Sequence, residues 1–375
     1  MKLLTICVPT YKRSEKLKVC VDSIISEINN NKLSEQVNVY VVDDASPDNT
    51  SSVIRSYHDV VFFKGVTRPK NLGMSANIMH MLSEASLESE YQLIITDDDH
   101  IEINSLQKIV SFLESYRKNN LPPIIWTPRY SYTEDGALYG VMCESFSISK
   151  KVKPSVVSAG RHMASSFVLS GLIVDGRAID YDLWRSNKEN AFFPMIFAGD
   201  LLMRLGGYYW NEKIVHHTVL NQCHWDRWGQ NDIEIDLRLF TDYVNSYYAV
   251  AESINLPLKR MLFYVSSLGS LYRALKGPFL TEKTGEDISL ARDAISRLRK
   301  QGLFKFSNST KYLLKIAMRF AVLVTHMKLL ALNLFNFLFK LMNFGSSCSK
   351  RILWNQRWLK VAPEIMKLIL QEDNY

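Results

Sequence analysis

Tyr91-Gln92-Leu93-Ile94-Ile95-Thr96-Asp97-Asp98-Asp99-His100 is an apolar run that stops at three adjacent carboxylates. Three apolar residues in succession suit a strand buried on both faces. The carboxylates repel one another and suit neither a buried strand nor a helix interior. Where a strand leaves its sheet, they form a compact oxygen-rich cluster that a hard divalent cation neutralises. An isolated cluster of this kind reads more readily as a solvated acidic turn, so its company decides.

That company lies upstream. Leu3–Val8, Val37–Val42 and Val60–Lys64 read as strands, with Gln92–Thr96 as the fourth. Between them, Glu15–Asn29, Thr50–Tyr57 and Ser75–Ser86 read as helices; in the first, Leu17, Cys20, Val21, Ile24, Ile25 and Ile28 share one side. Short strands alternating with helices predict βαβ units and a mostly parallel α/β sheet. In such sheets ligands gather beyond the carboxyl ends of the strands. Those ends carry Pro9-Thr10-Tyr11, then Asp43-Asp44-Ala45-Ser46, then Arg68-Pro69-Lys70-Asn71-Leu72-Gly73, then the Asp cluster. Four polar endings converging on one edge make a site.

The composition bounds the rest. A chain of 375 residues, 47% hydrophobic, can bury a full core. Its net charge of +7 is unevenly placed: residues 301–375 hold eleven Lys and Arg against three Asp and Glu, which leaves 34 basic and 35 acidic residues elsewhere. A basic tail on a neutral body argues for an anionic membrane surface and against nucleic acid as the main partner. Five scattered cysteines without a CxxC pair argue against a disulfide framework or zinc site and fit a reducing cytosol. The short apolar start reads as a core strand, not a signal peptide.

The spaced motifs suit a nucleotide-sugar site. Asp43 and Asp44 suit hydrogen bonds to a base N–H or a ribose hydroxyl, and the planar fork of Arg68 suits a diphosphate or base. Gly73 permits close backbone approach before a helix whose N-terminus favours anions. Ile6–Arg13, Val41–Asp48, Asn71–Asn77 and the Asp cluster together resemble a family 2 glycosyltransferase of GT-A fold, over roughly the first 105 residues. Ser170–Val174, Phe193-Pro194 and Gly207-Tyr208-Tyr209 look similar, more loosely, to bacterial members that build O-antigen, capsule or other surface polysaccharides.

The resemblance implies donor contacts at Pro9, Thr10, Tyr11, Arg13, Asp43, Asp44, Arg68, Asn71, Gly73, Asp97 and Asp98. It also implies Mn²⁺ or Mg²⁺ at Asp97 and Asp99, where the cation would stabilise the leaving diphosphate. Many relatives carry a Glu-Asp pair whose carboxylate acts as general base. Here the corresponding stretch, Ala198–Tyr208, has Asp200 without a preceding Glu, so Asp200 is the first candidate base, Glu189 the second and Asp182 the third. A histidine among His216, His217 and His224 could complete the metal shell or touch phosphate. Trp225, Asp226 and Trp228 are acceptor candidates.

These readings divide the chain into a catalytic domain over 1–231 (donor half about 1–105, acceptor half about 106–231), a helical extension over 232–310, and basic amphipathic helices over 311–375. Within Lys311–Asn343, Lys311, Lys315, Arg319, Thr325, His326, Asn333, Asn336, Lys340 and Asn343 form a polar stripe about 120° wide, which predicts a helix lying along a bilayer. The expected activity is inverting transfer from a nucleotide-diphosphate sugar to a lipid-linked or oligosaccharide acceptor, peripheral on the cytoplasmic face of the inner membrane. A nucleotidyltransferase would show a glycine-rich loop after the first strand, and Val8–Arg13 has no glycine. A phosphoacceptor domain would place its acidic pair after the first strand, not the second. An inactive sugar-binding or membrane-anchored scaffold stays open.

Overall fold

The computed structural model of the chain describes residues 1–117, 122–132, 138–143, 145–218, 233–276, 288–301, 308–341 and 349–370. Its first strands and helices are β1 (Lys2–Thr10), α1 (Ser14–Asn30), β2 (Val37–Asp43), α2 (Thr50–Arg55), β3 (Phe63–Thr67), α3 (Met74–Ala85), β4 (Ser89–Ile94), β5 (His100–Ile101) and α4 (Ser105–Tyr116). There follow β6 (Ile124–Trp126), β7 (Arg129–Tyr132), β8 (Leu138–Met142), β9 (Lys150–Val152), α5 (Val156–His162), β10 (Leu172–Val174), α6 (Tyr181–Arg185), α7 (Phe193–Arg204), β11 (Gly207–Tyr209) and β12 (Val215–Thr218). The remaining elements are helical: α8 (Ile233–Glu252), α9 (Pro257–Lys276), α10 (Ile288–Lys300), α11 (Asn308–Leu341) and α12 (Ser349–Leu370). Two compact units result, Met1–Asn221 with Ala249–Phe263, and Gln222–Tyr248 with Tyr264–Tyr375.

In the first unit an eight-stranded sheet has the order β3-β2-β1-β4-β10-β6-β11-β9. β3, β2, β1 and β4 run parallel, and β10 lies antiparallel between β4 and β6. The mostly parallel α/β sheet of the sequence reading is therefore present. Its register sets Thr10 opposite Asp43 at the carboxyl ends of β1 and β2. Leu4, Ile6, Val8, Val39, Val41 and Leu93 meet Leu17, Val21, Ile24 and Ile28 of α1 and Leu106, Ile109 and Leu113 of α4 in one core. Each such side chain contributes roughly 1.5–3 kcal/mol on burial. The third strand starts three residues later than the apolar run suggests. Val60 donates its N–H to Tyr57 and Phe63 donates to Val60, so Val60–Phe62 is spent on a turn and pairing begins at Phe63 opposite Val39.

A second sheet, β5-β12-β7-β8, stands beyond the Asp cluster. β12 pairs antiparallel with β5, and His216 lies opposite His100. Strand alternation then turns the next residue, His217, to the other face.

In the second unit α11 carries the expected amphipathic segment, with Lys315, Arg319 and His326 of the polar stripe exposed and Thr325 the one departure among those described. Thr325, read as polar and exposed, is fully buried and donates its hydroxyl to the Ala321 carbonyl at 2.7 Å. Tyr312, Leu323, Met327 and Leu330 are exposed instead. Packing against a neighbouring helix, not polarity alone, chose the buried side. Among the described residues no helix is long and apolar enough to cross a membrane.

Candidate active site

The cluster that ends β4 is held by side chains from β1, from the turn after β1, and from the second sheet. Thr10 donates its hydroxyl to Asp97 at 2.6 Å. Arg13 reaches both Asp97, at 3.0 Å, and Asp98, at 2.6 Å, through Nη1. Asp99 meets His217 Nδ1 at 2.7 Å and accepts from the Thr96 hydroxyl at 3.0 Å. Ser170 supports that turn, accepting from the Thr96 N–H at 2.9 Å. Gly171 beside it has φ +80°, which disfavours any side chain, and a Cβ there would stand 3.0 Å from Thr127 Oγ1.

Burial raises the Asp97 carboxyl to about 6, against the opposing pull of Arg13 and Thr10. Burial would lower His217, but its hydrogen bond and attraction to Asp99 outweigh that and raise it. His100, stacked on His216, is lowered by burial and by that neighbour.

The donor-type carboxylates after β2 divide their work. Asp43 is fully buried; Oδ1 accepts from the Ser46 N–H and hydroxyl, while Oδ2 is buried without a partner among the described residues. A buried, unpaired carboxylate oxygen is costly unless a ligand completes it. Asp44 has no such vacancy, since it accepts from the N–H groups of Leu72 at 2.8 Å and Gly73 at 2.9 Å. It fastens the loop after β3. Arg68 is likewise engaged: its fork grips Glu84 of α3 at 2.9 and 3.3 Å and its Nε reaches Asn77. Asn71 accepts from Gly73 N–H, and Gly73 at φ +83° begins α3. Pro9 lies within β1, and Tyr11 beyond it is 39% exposed.

The candidate bases separate clearly. Asp200 is buried on α7 and bound by Arg204 through Nε at 2.8 and 2.9 Å. Arg204 also donates to Ala178 O at 2.8 Å, and nearby Gly176 donates to Gln92 in the first half of β4. This ion pair thus lies toward the edge where β4 begins, opposite the edge where it delivers Asp97. Asp200, the first candidate base, is thus held in an ion pair within its own helix, at i,i+4 spacing to Arg204. Asp182 is exposed and pairs with Arg185. Glu189 precedes α7 and lines a groove of about 200 Å³ with Lys188, Asn190 and Gly73–Ala76. Trp184 fixes that wall, donating its indole N–H to Ser75 at 2.9 Å. Trp225, Asp226, Trp228 and His224 lie outside the described residues.

Among the described residues, no three His, Cys, Asp or Glu side chains gather around one point, so an all-protein metal cage is absent there. Asp97 and Asp98 are engaged by Arg13. Asp99 and His217 still supply two adjacent donors of suitable type. A cation bound chiefly by substrate phosphates needs only one or two protein ligands. The residues fit a shared cation, with His217 beside Asp99.

Residues 5–154 match the model of glycosyl transferase family 2. That match covers 150 of the 375 residues. The region is similar to abequosyltransferase RfbV of Salmonella typhimurium, 30% identical over 115 residues, covering 30% of this chain and 33% of that protein. It is also similar to the poly(ribitol-phosphate) beta-N-acetylglucosaminyltransferase TarP of Staphylococcus aureus, 23% identical over 225 residues, covering 59% and 64%. The chain therefore spans from one third to just under two thirds of these relatives' length. The crystal structure of S. aureus TarS 1-349 aligns over 79% of this chain and 80% of that one, with TM-score 0.51 and 17% identity. TarS 1-349 in complex with UDP aligns with TM-score 0.52. At these identities the structural likeness establishes the glycosyltransferase domain's fold alone.

Proposed function

We propose that the chain is an inverting glycosyltransferase of surface-polysaccharide synthesis. It moves a sugar from a nucleoside-diphosphate sugar to a hydroxyl of a membrane-carried glycan, from the cytoplasmic face. The observation that carries this reading is the buried Asp43 Oδ2, without a partner among the described residues, on the edge where Thr10 and Arg13 hold Asp97 and Asp98 and His217 meets Asp99. An orphan acceptor suits a base N–H or a ribose hydroxyl, and the Asp97–Asp99 turn suits the diphosphate. The UDP complex of TarS supports a nucleotide carrier. The two relatives' names carry different sugars, so the proposal stays at this substrate class.

Glu189 is the proposed base. It takes the proton from the acceptor hydroxyl, whose oxygen bonds to the anomeric carbon while the bond to the diphosphate oxygen breaks. Attack opposite the leaving group inverts the centre. Asp99 and His217 would hold Mn²⁺ or Mg²⁺, which would neutralise charge on the leaving diphosphate. Asp44 and Arg68 keep the loop and α3 in place. The chain is proposed to meet the membrane through its C-terminal helices.

Hydrolysis of nucleotide sugars measured with and without Mn²⁺, beside Asp99→Ala, tests this. Turnover should require the metal and fall at least about 100-fold in the variant. Metal-independent turnover untouched by Asp99→Ala overturns the mechanism, and no turnover with any nucleotide sugar favours a binding protein.

A further inference from the structure

One exposed side of α11 is apolar. Tyr312 (68% exposed), Leu323 (59%), Met327 (64%) and Leu330 (73%) share it with the less exposed Ile316 and Phe320. At 100° per residue these six fall within an arc of about 80°. The opposite side, Leu314, Ala317, Ala321 and Thr325, is fully buried. A contiguous exposed apolar stripe on a helix marks an interaction surface.

Two features choose its occupant. The first is charge: residues 308–341 contain five Lys and Arg and no Asp or Glu, and exposed Lys315 and Arg319 border the stripe. The second is register. Taking Ile316, Leu323 and Leu330 as one column of a heptad, Phe320 and Met327 form the partner column, and Arg319 and His326 flank it with no Asp or Glu on the helix to pair with them. Cations along that flank with no acid to meet them disfavour a coiled coil with a second copy. An apolar stripe with a cationic border and no acid matches the interface of an anionic bilayer.

We infer that α11 lies on an anionic lipid surface with the Tyr312–Leu330 stripe inserted and Lys315 and Arg319 on the headgroups. This rests on the reading of the acceptor as membrane-carried, and it narrows the bilayer-facing side to one arc of the helix.

The test is flotation of the full chain with vesicles of about three parts phosphatidylcholine to one part phosphatidylglycerol, against pure phosphatidylcholine. The wild-type chain should float with the anionic vesicles and weakly with the neutral ones. Leu323→Ser with Met327→Ser should lower partitioning at least about tenfold. Lys315→Gln with Arg319→Gln should lower it about fivefold per charge and remove most of its salt dependence. All variants should keep soluble-donor hydrolysis, which reads the active site separately and reports folding. Wild-type protein that stays with the soluble fraction, or Ser variants that float unchanged, overturns the inference. So does a loss of oligomer size in the Ser variants without a loss of flotation, which would make the occupant a second copy.

Discussion

Carboxylates that look equivalent in the sequence have different duties once their partners are named. Asp200 was chosen for its place before Gly207-Tyr208, yet Arg204 neutralises it inside α7. Glu189 is exposed and lines the groove with the start of α3. Glu189→Gln should lower kcat by about 10²–10⁴ with donor affinity retained. Asp200→Asn should lower the melting temperature and spare most of kcat. Steady-state kinetics and thermal unfolding on both variants separate the roles; the reverse pattern would return Asp200 to the chemistry. Asp97–Asp99 and Asp43 were legible because strand ends announce themselves in the apolar pattern. The occupations of Asp44 and Arg68 were not, since their partners, the Gly73 amide and Glu84, are set by how loop and helix fold back on the sheet.

At the scale of elements, the strands of the parallel core were legible from runs such as Val39–Val42, and the boundary errors fall at β3 on the sheet edge and at β4 inside it, which runs Ser89–Ile94 and not Gln92–Thr96. β3 begins late because a turn there competes for the same apolar residues. The short strands after Ile124 carry little periodicity, so the packing around α5 could not be read ahead. There the His162 ring packs tilted against Trp126 and against Phe146, with Arg161 and Lys150 nearby. Burial, with those cations, lowers it to about 4. In the folded chain it stays neutral while the unfolded chain takes a proton below about 6.5. Its contribution to stability is therefore complete above 6.5 and lost as pH falls toward 4. His162→Phe, which keeps the ring, should flatten the fall in melting temperature between pH 6.5 and 4.5. An unchanged slope would mean the acid loss comes from other groups.

For the whole molecule, a ligand that completes Asp43 and the Asp cluster should stabilise the unit containing them. At about 100 times its Kd a nucleotide sugar adds about 2.7 kcal/mol, a shift of several degrees. A thermal-shift series over uridine, thymidine and cytidine carriers with Mn²⁺ should single out the donor class, and Asp43→Asn should abolish its shift. A shift kept in Asp43→Asn would remove that carboxylate from the donor site. The pair Asp99–His217 joins residues 118 positions apart, one from the parallel core and one from the last strand of the second sheet. Residues 1–105, where the family motifs are densest, would thus make a recognisable scaffold with an unfinished site. A chimera that exchanges this segment between relatives inherits half a receptor, and its activity will depend on how well the recipient's β12 histidine meets the imported aspartate. Swaps meant to change donor choice should move both strands together.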